Sequence, residues 1–244
     1  MFTEIEIDFI SGAGGECTLG FNATSSGSAA FVTASHCTRT QGGVEGTGYS
    51  QPLVGSRQIG TEAKDPNWFT NAQVPRCPRS TTTTPIYCRW ADAAVATYSS
   101  GISHERGYLA RTTYSSTFRG DSGSYVVDQA SPRFRITQGL YGTTAGDPVD
   151  KVGWRSGWTW GDVDAPCQDV DLATFSRPGY WLLCQDYAWY GAERGDSGAP
   201  VFAYLSSTEA GLQGIHWGAL SGGRKLYSPL GGIERDLGTL GYFP

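Results

Sequence analysis

The sequence predicts an all-β protein built from two antiparallel, six-stranded β-barrels with a short C-terminal helix. Three observations carry that prediction. Among 244 residues there are 34 glycines, while charged residues make up only 17%, a composition suited to many short strands and tight turns. β-prone runs follow one another at short intervals with turn residues between them, and no long linker or internal repeat breaks the chain. Only the last segment has helical spacing, with Ile233, Leu237 and Leu240 falling on one face.

Taken in order, Glu4, Glu6 and Asp8 alternate with Ile5, Ile7 and Phe9, the period of a half-buried strand. Residues 17–37 read as a hairpin turning at Ser25–Ser28. Asn22-Ala23-Thr24 matches a glycosylation sequon, although an unmodified turn residue is the simpler reading. Residues 40–90 are rich in Gly, Thr and Pro, and "RCPRSTTTTPIYC" reads as a disulfide-closed excursion. Residues 98–135 form a long loop without an evident purpose in the fold. The acidic stretch holding Asp162, Asp164, Asp169 and Asp171 reads as a solvated loop, since its spacing fits no ordered calcium loop. "GYWLLCQDYAWYG" reads as a strand beneath the loop at 190–198, and Gly211–Leu220 as the strand lining a pocket. The division expected is 1–130 for the first barrel and 131–244 for the second, working as one unit.

The chain is organised around "YGAERGDSGAPVF", Tyr190–Phe202. Gly195 and Gly198 let the backbone fold back around Ser197. Such a loop can aim the N–H groups of Gly195 and Ser197 at one point, the geometry that stabilises an oxyanion. Ala199–Leu205 follows as a buried strand. A serine needs a base and an orienting acid to act as a nucleophile. The three histidines are His36 in "FVTASHC", His104 in a polar loop and His216 in "GIHWG". The acid candidate is Asp92 in "WADAAVATY", a carboxylate among small apolar residues that requires a hydrogen-bond partner. A second Gly-Asp-Ser-Gly string, 120–123, reads as a surface turn. It precedes "KVGWRSGWTWG", and no strand leading to "GIHWG" follows it.

"TASHC", "DAAV", "GDSGAP" and "GIHWG", in that order, resemble the chymotrypsin-like serine peptidases. "CTLGFN" and "DKVGWRSGWTWGDV" narrow the resemblance to the secreted bacterial branch that includes the streptogrisins and glutamyl endopeptidases. It covers nearly the whole chain and implies a trypsin-like fold. It also implies His36 as general base, Asp92 as orienter and Ser197 as nucleophile. In that branch an arginine follows "VG" and pairs with the aspartate before the nucleophile. Trp154 takes the place here, leaving Arg155 as the nearest candidate partner for Asp196.

The resemblance also frames the substrate pocket. Gly191 stands where trypsin-like relatives carry an aspartate, so the pocket lacks that anion for a basic side chain. His216 resembles the histidine with which glutamyl endopeptidases hold a substrate carboxylate. Ala192, Arg194, Trp217 and Gly218 are the other expected pocket residues, while Ala219 replaces the Gly or Ser of many such enzymes. Glu, and less so Asp, is the expected residue before the scissile bond; the alternatives are an apolar or aromatic preference, or an inactive binding relative. An esterase reading lacks its GxSxG elbow.

The remaining expectations concern surroundings. Six cysteines without CxxC spacing favour disulfides over zinc. Cys17–Cys37, Cys77–Cys88 and Cys167–Cys184 each close a short loop, and the resemblance supports the first and third. Secretion follows from those bridges. The net charge of −5 offers no basic face for nucleic acid. No run approaches the ~18–20 apolar residues of a membrane helix. "MFTEIEIDFISG" lacks the features of a signal peptide, and Met1 reads as an added initiator. No cofactor or metal is expected; the expected partners are protein or peptide substrates and proteinaceous inhibitors of a monomer.

Overall fold

The β-prone runs condense into two sheets in a computed structural model that describes residues 9–12, 15–51 and 57–244. The strand read over residues 4–9 lies outside the described residues except at its last position. Sixteen strands are present among the described residues. The first eight are β1 (Phe9–Gly12), β2 (Gly15–Thr18), β3 (Phe21–Ser25), β4 (Ser28–Thr33), β5 (Gly48–Gln51), β6 (Arg57–Lys64), β7 (Tyr87–Arg89) and β8 (Ala94–Tyr98). Then come β9 (Tyr108–Ala110), β10 (Arg133–Gly139), β11 (Pro148–Gly153), β12 (Gly157–Asp171) and β13 (Tyr180–Trp189). The last are β14 (Pro200–Ser206), β15 (Glu209–Ala219) and β16 (Lys225–Pro229), followed by the helix α1 (Leu230–Leu237).

One sheet has seven strands in the order β2-β1-β5-β6-β8-β4-β3, and the other has nine, β14-β11-β12-β13-β16-β15-β10-β9 with β7 on β13. Both counts exceed the six strands expected per barrel, and the three-residue strands β7 and β9 are among the nine of the second sheet. The pairing is antiparallel apart from β7 on β13 and β10 on β15. The β3–β4 hairpin turns at Ser26 and Gly27, both at positive φ, as the sequence predicts.

The sheets meet over a shared core in which Val32 and Val95 of the first pack with Phe202 and Ile215 of the second. Helix α1 closes this core with Leu230, Ile233 and Leu237. It is shorter than the apolar spacing suggests. Gly238 ends it at φ +81°, and Leu240 reaches the core from the chain beyond.

All three disulfides, Cys17–Cys37, Cys77–Cys88 and Cys167–Cys184, form as expected. The acidic stretch is not the solvated loop expected: its four aspartates lie in β12 and are engaged by neighbours. Asp162 pairs with Arg119, Asp164 with Arg224 and Asp169 with Arg76, while Asp171 accepts the Ala173 N–H at a 3-10 turn. Asn22, the sequon residue, donates to the Glu105 carbonyl and accepts from the Tyr98 hydroxyl. His104 is exposed and stacks on Tyr98 with ring centroids 4.5 Å apart.

The long loop after β9 acquires a physical role. Its residues 116–124 run along the start of β12, with the Ser116, Arg119 and Gly123 N–H groups donating to the carbonyls of Trp158, Trp160 and Ser156. A Cβ at Gly123 would stand 1.9 Å from the Trp158 carbonyl oxygen. The glycine of the second Gly-Asp-Ser-Gly string therefore serves close packing. A Cβ at Gly191 would meet the Asp121 and Gly120 carbonyls at 2.1 and 2.4 Å, so the loop backs the segment leading to Ser197. Asp121 and Ser122 themselves are exposed.

Candidate active site

The site lies at the seam of the two sheets, where three separated segments converge. His36 sits in a single 3-10 turn, Ser35–Cys37, just past the buried strand β4. Its neighbour Cys37 is tied to β2 through Cys17. Asp92 precedes β8 and is 1% exposed. Ser197 lies between a turn and β14. Its carbonyl accepts the Thr18 N–H at 2.7 Å, and the Gly198 N–H donates to the His216 carbonyl at 2.7 Å. Gly198, at φ +90°, has no room for a side chain, because a Cβ would stand 2.2 Å from the Thr18 carbonyl oxygen. The serine is thereby clamped between β2 and β15.

His36 joins the other two residues. Its Nε2 is 2.8 Å from Ser197 Oγ, and its Nδ1 is 2.5 Å from Asp92 Oδ2. The His36 backbone N–H also donates to Asp92 Oδ1 at 2.9 Å. Packing around the ring would by itself lower the imidazole pKa, but the charge and hydrogen bond of Asp92 outweigh it and hold His36 above its ordinary value. For Asp92, burial works upward; His36 and further donors outweigh it and hold the carboxyl low.

One of those donors was not evident in the sequence. Gln41 Nε2 donates to Asp92 Oδ1 at 2.9 Å. The Gln41 side-chain oxygen in turn accepts from Arg177, and its backbone carbonyl accepts from Trp68 Nε1 and Arg177. Arg177 lies over the faces of Trp68 and Tyr180. Behind the histidine, Ser35 donates to Asp65, which pairs with the buried Arg89. Ser228 Oγ accepts the Asp92 N–H at 2.9 Å and donates to Gln185.

Ahead of the serine, the Asp196 N–H donates to the Glu193 carbonyl at 3.0 Å, with Gly195 at φ +107°. This is the glycine position of a type II turn, and the Gly195 carbonyl is fixed by the Thr18 hydroxyl at 3.0 Å. Neither the Gly195 nor the Ser197 N–H has a backbone hydrogen-bond acceptor among the described residues.

The partner expected for Asp196 requires correction. Arg155 gives only its backbone N–H, at 3.0 Å from Oδ1, and its guanidinium lies against Trp154. The buried cation is Lys151, whose Nζ is 2.9 Å from Asp196 Oδ2 and whose side chain is fully buried. Ser156 Oγ also donates to Asp196, at 2.6 Å. Burial would raise the Asp196 pKa, but the Lys151 charge and these hydrogen bonds hold it well below the carboxylate range.

The expected pocket residues divide. His216 is buried, with Nδ1 3.2 Å from the Tyr190 hydroxyl and its ring edge-on to Tyr190. Burial, joined by the charge of Lys151, lowers its pKa to about 3. Ala192 packs against the buried cluster that includes Tyr190 and Tyr227, while Arg194 is exposed. Trp217 follows His216 on β15. Its Nε1 donates to Gln185 at 2.9 Å, and it lines a cavity of about 240 Å³ beside His36 with Leu172, Phe175 and Leu182.

No protein-family model matches the chain, and no curated protein sequence does. Solved structures do. A glutamic acid specific serine protease, described as using a histidine triad in substrate binding, superposes with a TM-score of 0.65 at 21% identity, over 97% of this chain and 99% of its own. Protease A of Thermobifida fusca gives 0.63 at 20% identity, covering 98% and 97%. The Nocardiopsis protease gives 0.62 at 22% identity, covering 98% of each. The chain therefore has, over nearly its whole length, the trypsin-like fold of the bacterial chymotrypsin-like serine proteases.

Proposed function

We propose that this protein is a secreted serine endopeptidase acting through an acyl-enzyme. The single observation that carries the proposal is the unbroken path Asp92–His36–Ser197, with hydrogen-bond separations of 2.5 and 2.8 Å. In this reading His36 Nε2 takes the Ser197 proton as Oγ bonds to a peptide carbonyl carbon. Asp92 holds the ring in the required tautomer and stabilises the imidazolium. The Gly195 and Ser197 N–H groups receive the oxyanion, each contributing about 3–4 kcal/mol. The C–N bond then breaks as His36 returns the proton to the leaving amine. Water hydrolyses the ester by the same route, restoring the free serine. Three disulfides favour an oxidising, extracellular location.

For specificity we propose a preference for Glu, and less so Asp, before the scissile bond. A structural neighbour is glutamic acid specific, and His216 lies beside Tyr190 in this chain. Of the three histidines, His36 belongs to the catalytic path and His104 lies on Tyr98. Only His216 is left, so this chain has no histidine triad, and the group hydrogen-bonded to His216 is the Tyr190 hydroxyl. With that hydroxyl donating to Nδ1, Nε2 carries the proton and can donate to a carboxylate.

Turnover of peptide anilides with Glu, Gln, Phe, Leu or Lys before the anilide tests both levels. Ser197→Ala is expected to lower kcat by ~10⁶-fold, and unchanged turnover would overturn the nucleophile. Fastest cleavage after Phe or Leu would overturn the acidic preference while leaving the peptidase reading intact.

A further inference from the structure

A pocket that binds a carboxylate is strengthened by a cation, and His216, held neutral, is not one. The interior of the second sheet supplies another. Lys225 opens β16 and pairs with Ala188 of β13 and Ala219 of β15. It shares a face with Tyr227 two residues on, and Tyr227 lies opposite His216. Ala188, Tyr190 and Tyr227 form one buried cluster, against which Ala192 packs. The stem of Lys225 therefore rises from the wall that also carries His216 and Tyr190. Lys225 is only half-buried.

The neighbouring residue has the opposite disposition. Arg224 pairs with Asp164 and lies over Tyr187. Among the described residues the Lys225 ammonium has no carboxylate within 4.0 Å and no side-chain hydrogen bond. The carboxylates around that wall are committed elsewhere. Asp196 pairs with Lys151, and Asp186 accepts from the Thr143 hydroxyl and the Cys167 N–H. Lys225 is close enough to both His216 and Lys151 for its charge to disfavour protonation of each. A cation on this wall, near the Lys151 charge and without an anion of its own, is suited to an anion brought from outside.

Building on the peptidase reading above, we propose that Lys225 is a specificity-determining residue: its ammonium receives the carboxylate of an acidic side chain before the scissile bond, beside a hydrogen bond from His216. The floor at Gly191 fits this assignment. The loop carbonyls of Gly120 and Asp121 leave no room there for a side chain, so position 191 itself supplies no charge.

The test compares anilide substrates that differ only in Glu, Gln or Lys before the scissile bond, for the wild type, Lys225→Met, Lys225→Arg and Lys225→Glu. Lys225→Met is expected to reduce the Glu:Gln ratio of kcat/KM by roughly 10- to 100-fold. Lys225→Arg should keep the preference for Glu, and Lys225→Glu should shift it toward Lys. Labelling of Ser197 by a small fluorophosphonate, which needs no substrate side chain, reports an assembled site in each variant. A Glu:Gln ratio indifferent to Lys225→Met in a labelled enzyme would overturn the role of Lys225 alone and mark it as a surface lysine. No labelling of the folded wild type would instead count against the peptidase reading. Should Lys225→Met fail to fold, Lys225→Arg decides, because loss of the Glu preference in that labelled variant would also count against the proposal.

Discussion

The ammonium of Lys151 lies 2.9 Å from the carboxylate of Asp196, and both side chains are fully buried. Lys151 belongs to β11, whose neighbours are β12 and β14, so the pair ties the turn that carries Ser197 to the wall of the second sheet. A buried pair contributes little over a well-packed apolar substitute, but removing one partner strands the other charge. Lys151→Met should therefore destabilise the protein by about 3–5 kcal/mol, read as a drop in the denaturation midpoint together with slower labelling of Ser197. Arg155→Ala, which leaves the backbone donor in place, should change stability by less than about 1 kcal/mol. The reverse order of effects would restore Arg155 as the partner of Asp196.

Gln41 offers a second prediction. It is a positioning residue, touching Asp92 rather than any reacting atom, and is itself held by Arg177 and Trp68. Gln41→Ala should lower kcat roughly 10-fold through the lost charge-assisted hydrogen bond. KM should change little, and Gln41→Glu should be no better than Ala because it sets a second carboxylate beside Asp92. A change confined to KM would show that Gln41 serves substrate binding.

The pH profile of kcat/KM follows from His36. The ring must be neutral to accept the serine proton, and Asp92 holds its pKa above the ordinary 6.5. Protonation on acidification therefore begins at a higher pH than for a free imidazole, and the acid limb should have its midpoint above 6.5. A midpoint below 6 would contradict the assignment of His36 as the base.

Asp150 gives a prediction about stability rather than turnover. It is buried and accepts from Trp158 Nε1 at 2.7 Å, and burial raises its pKa to about 6. Between about pH 4 and 6 the folded state holds this proton when the unfolded chain does not, so its contribution to stability falls as pH rises through that window. Asp150→Asn keeps the acceptor and removes the charge. It should stabilise the protein by up to about 2 kcal/mol at pH 7 and negligibly at pH 4, as urea denaturation at the two pH values would show. Equal effects at both would argue against a raised carboxyl.

The fold and the Asp92–His36–Ser197 path were legible because each lies in a string whose local conformation is dictated by its residues. Gly198 can only be glycine where Thr18 approaches so closely, and Cys37 fixes the turn beside His36. The partner of Asp196 was not legible. Whether Lys151 or Arg155 points inward depends on the register of β11, and alternation along a strand does not reveal which face is the interior. Gln41 escaped notice because it reaches Asp92 from an irregular loop whose path depends on Trp68 and Arg177. Lys225 carries no signal of its own in the sequence, since its unpaired state follows from which carboxylates its neighbours engage. The second Gly-Asp-Ser-Gly string shows the same limit from the other side, because there the glycine answers to the Trp158 carbonyl rather than to chemistry.

The proposed mechanism requires His36 to activate Ser197 and no other hydroxyl. Incubation with a fluorophosphonate followed by peptide mapping of the adduct tests it most directly. One phosphonyl group per chain is expected, on the peptide containing Ser197, with its loss in His36→Ala. Modification at Ser122, or undiminished labelling of Ser197 without the imidazole, would contradict it.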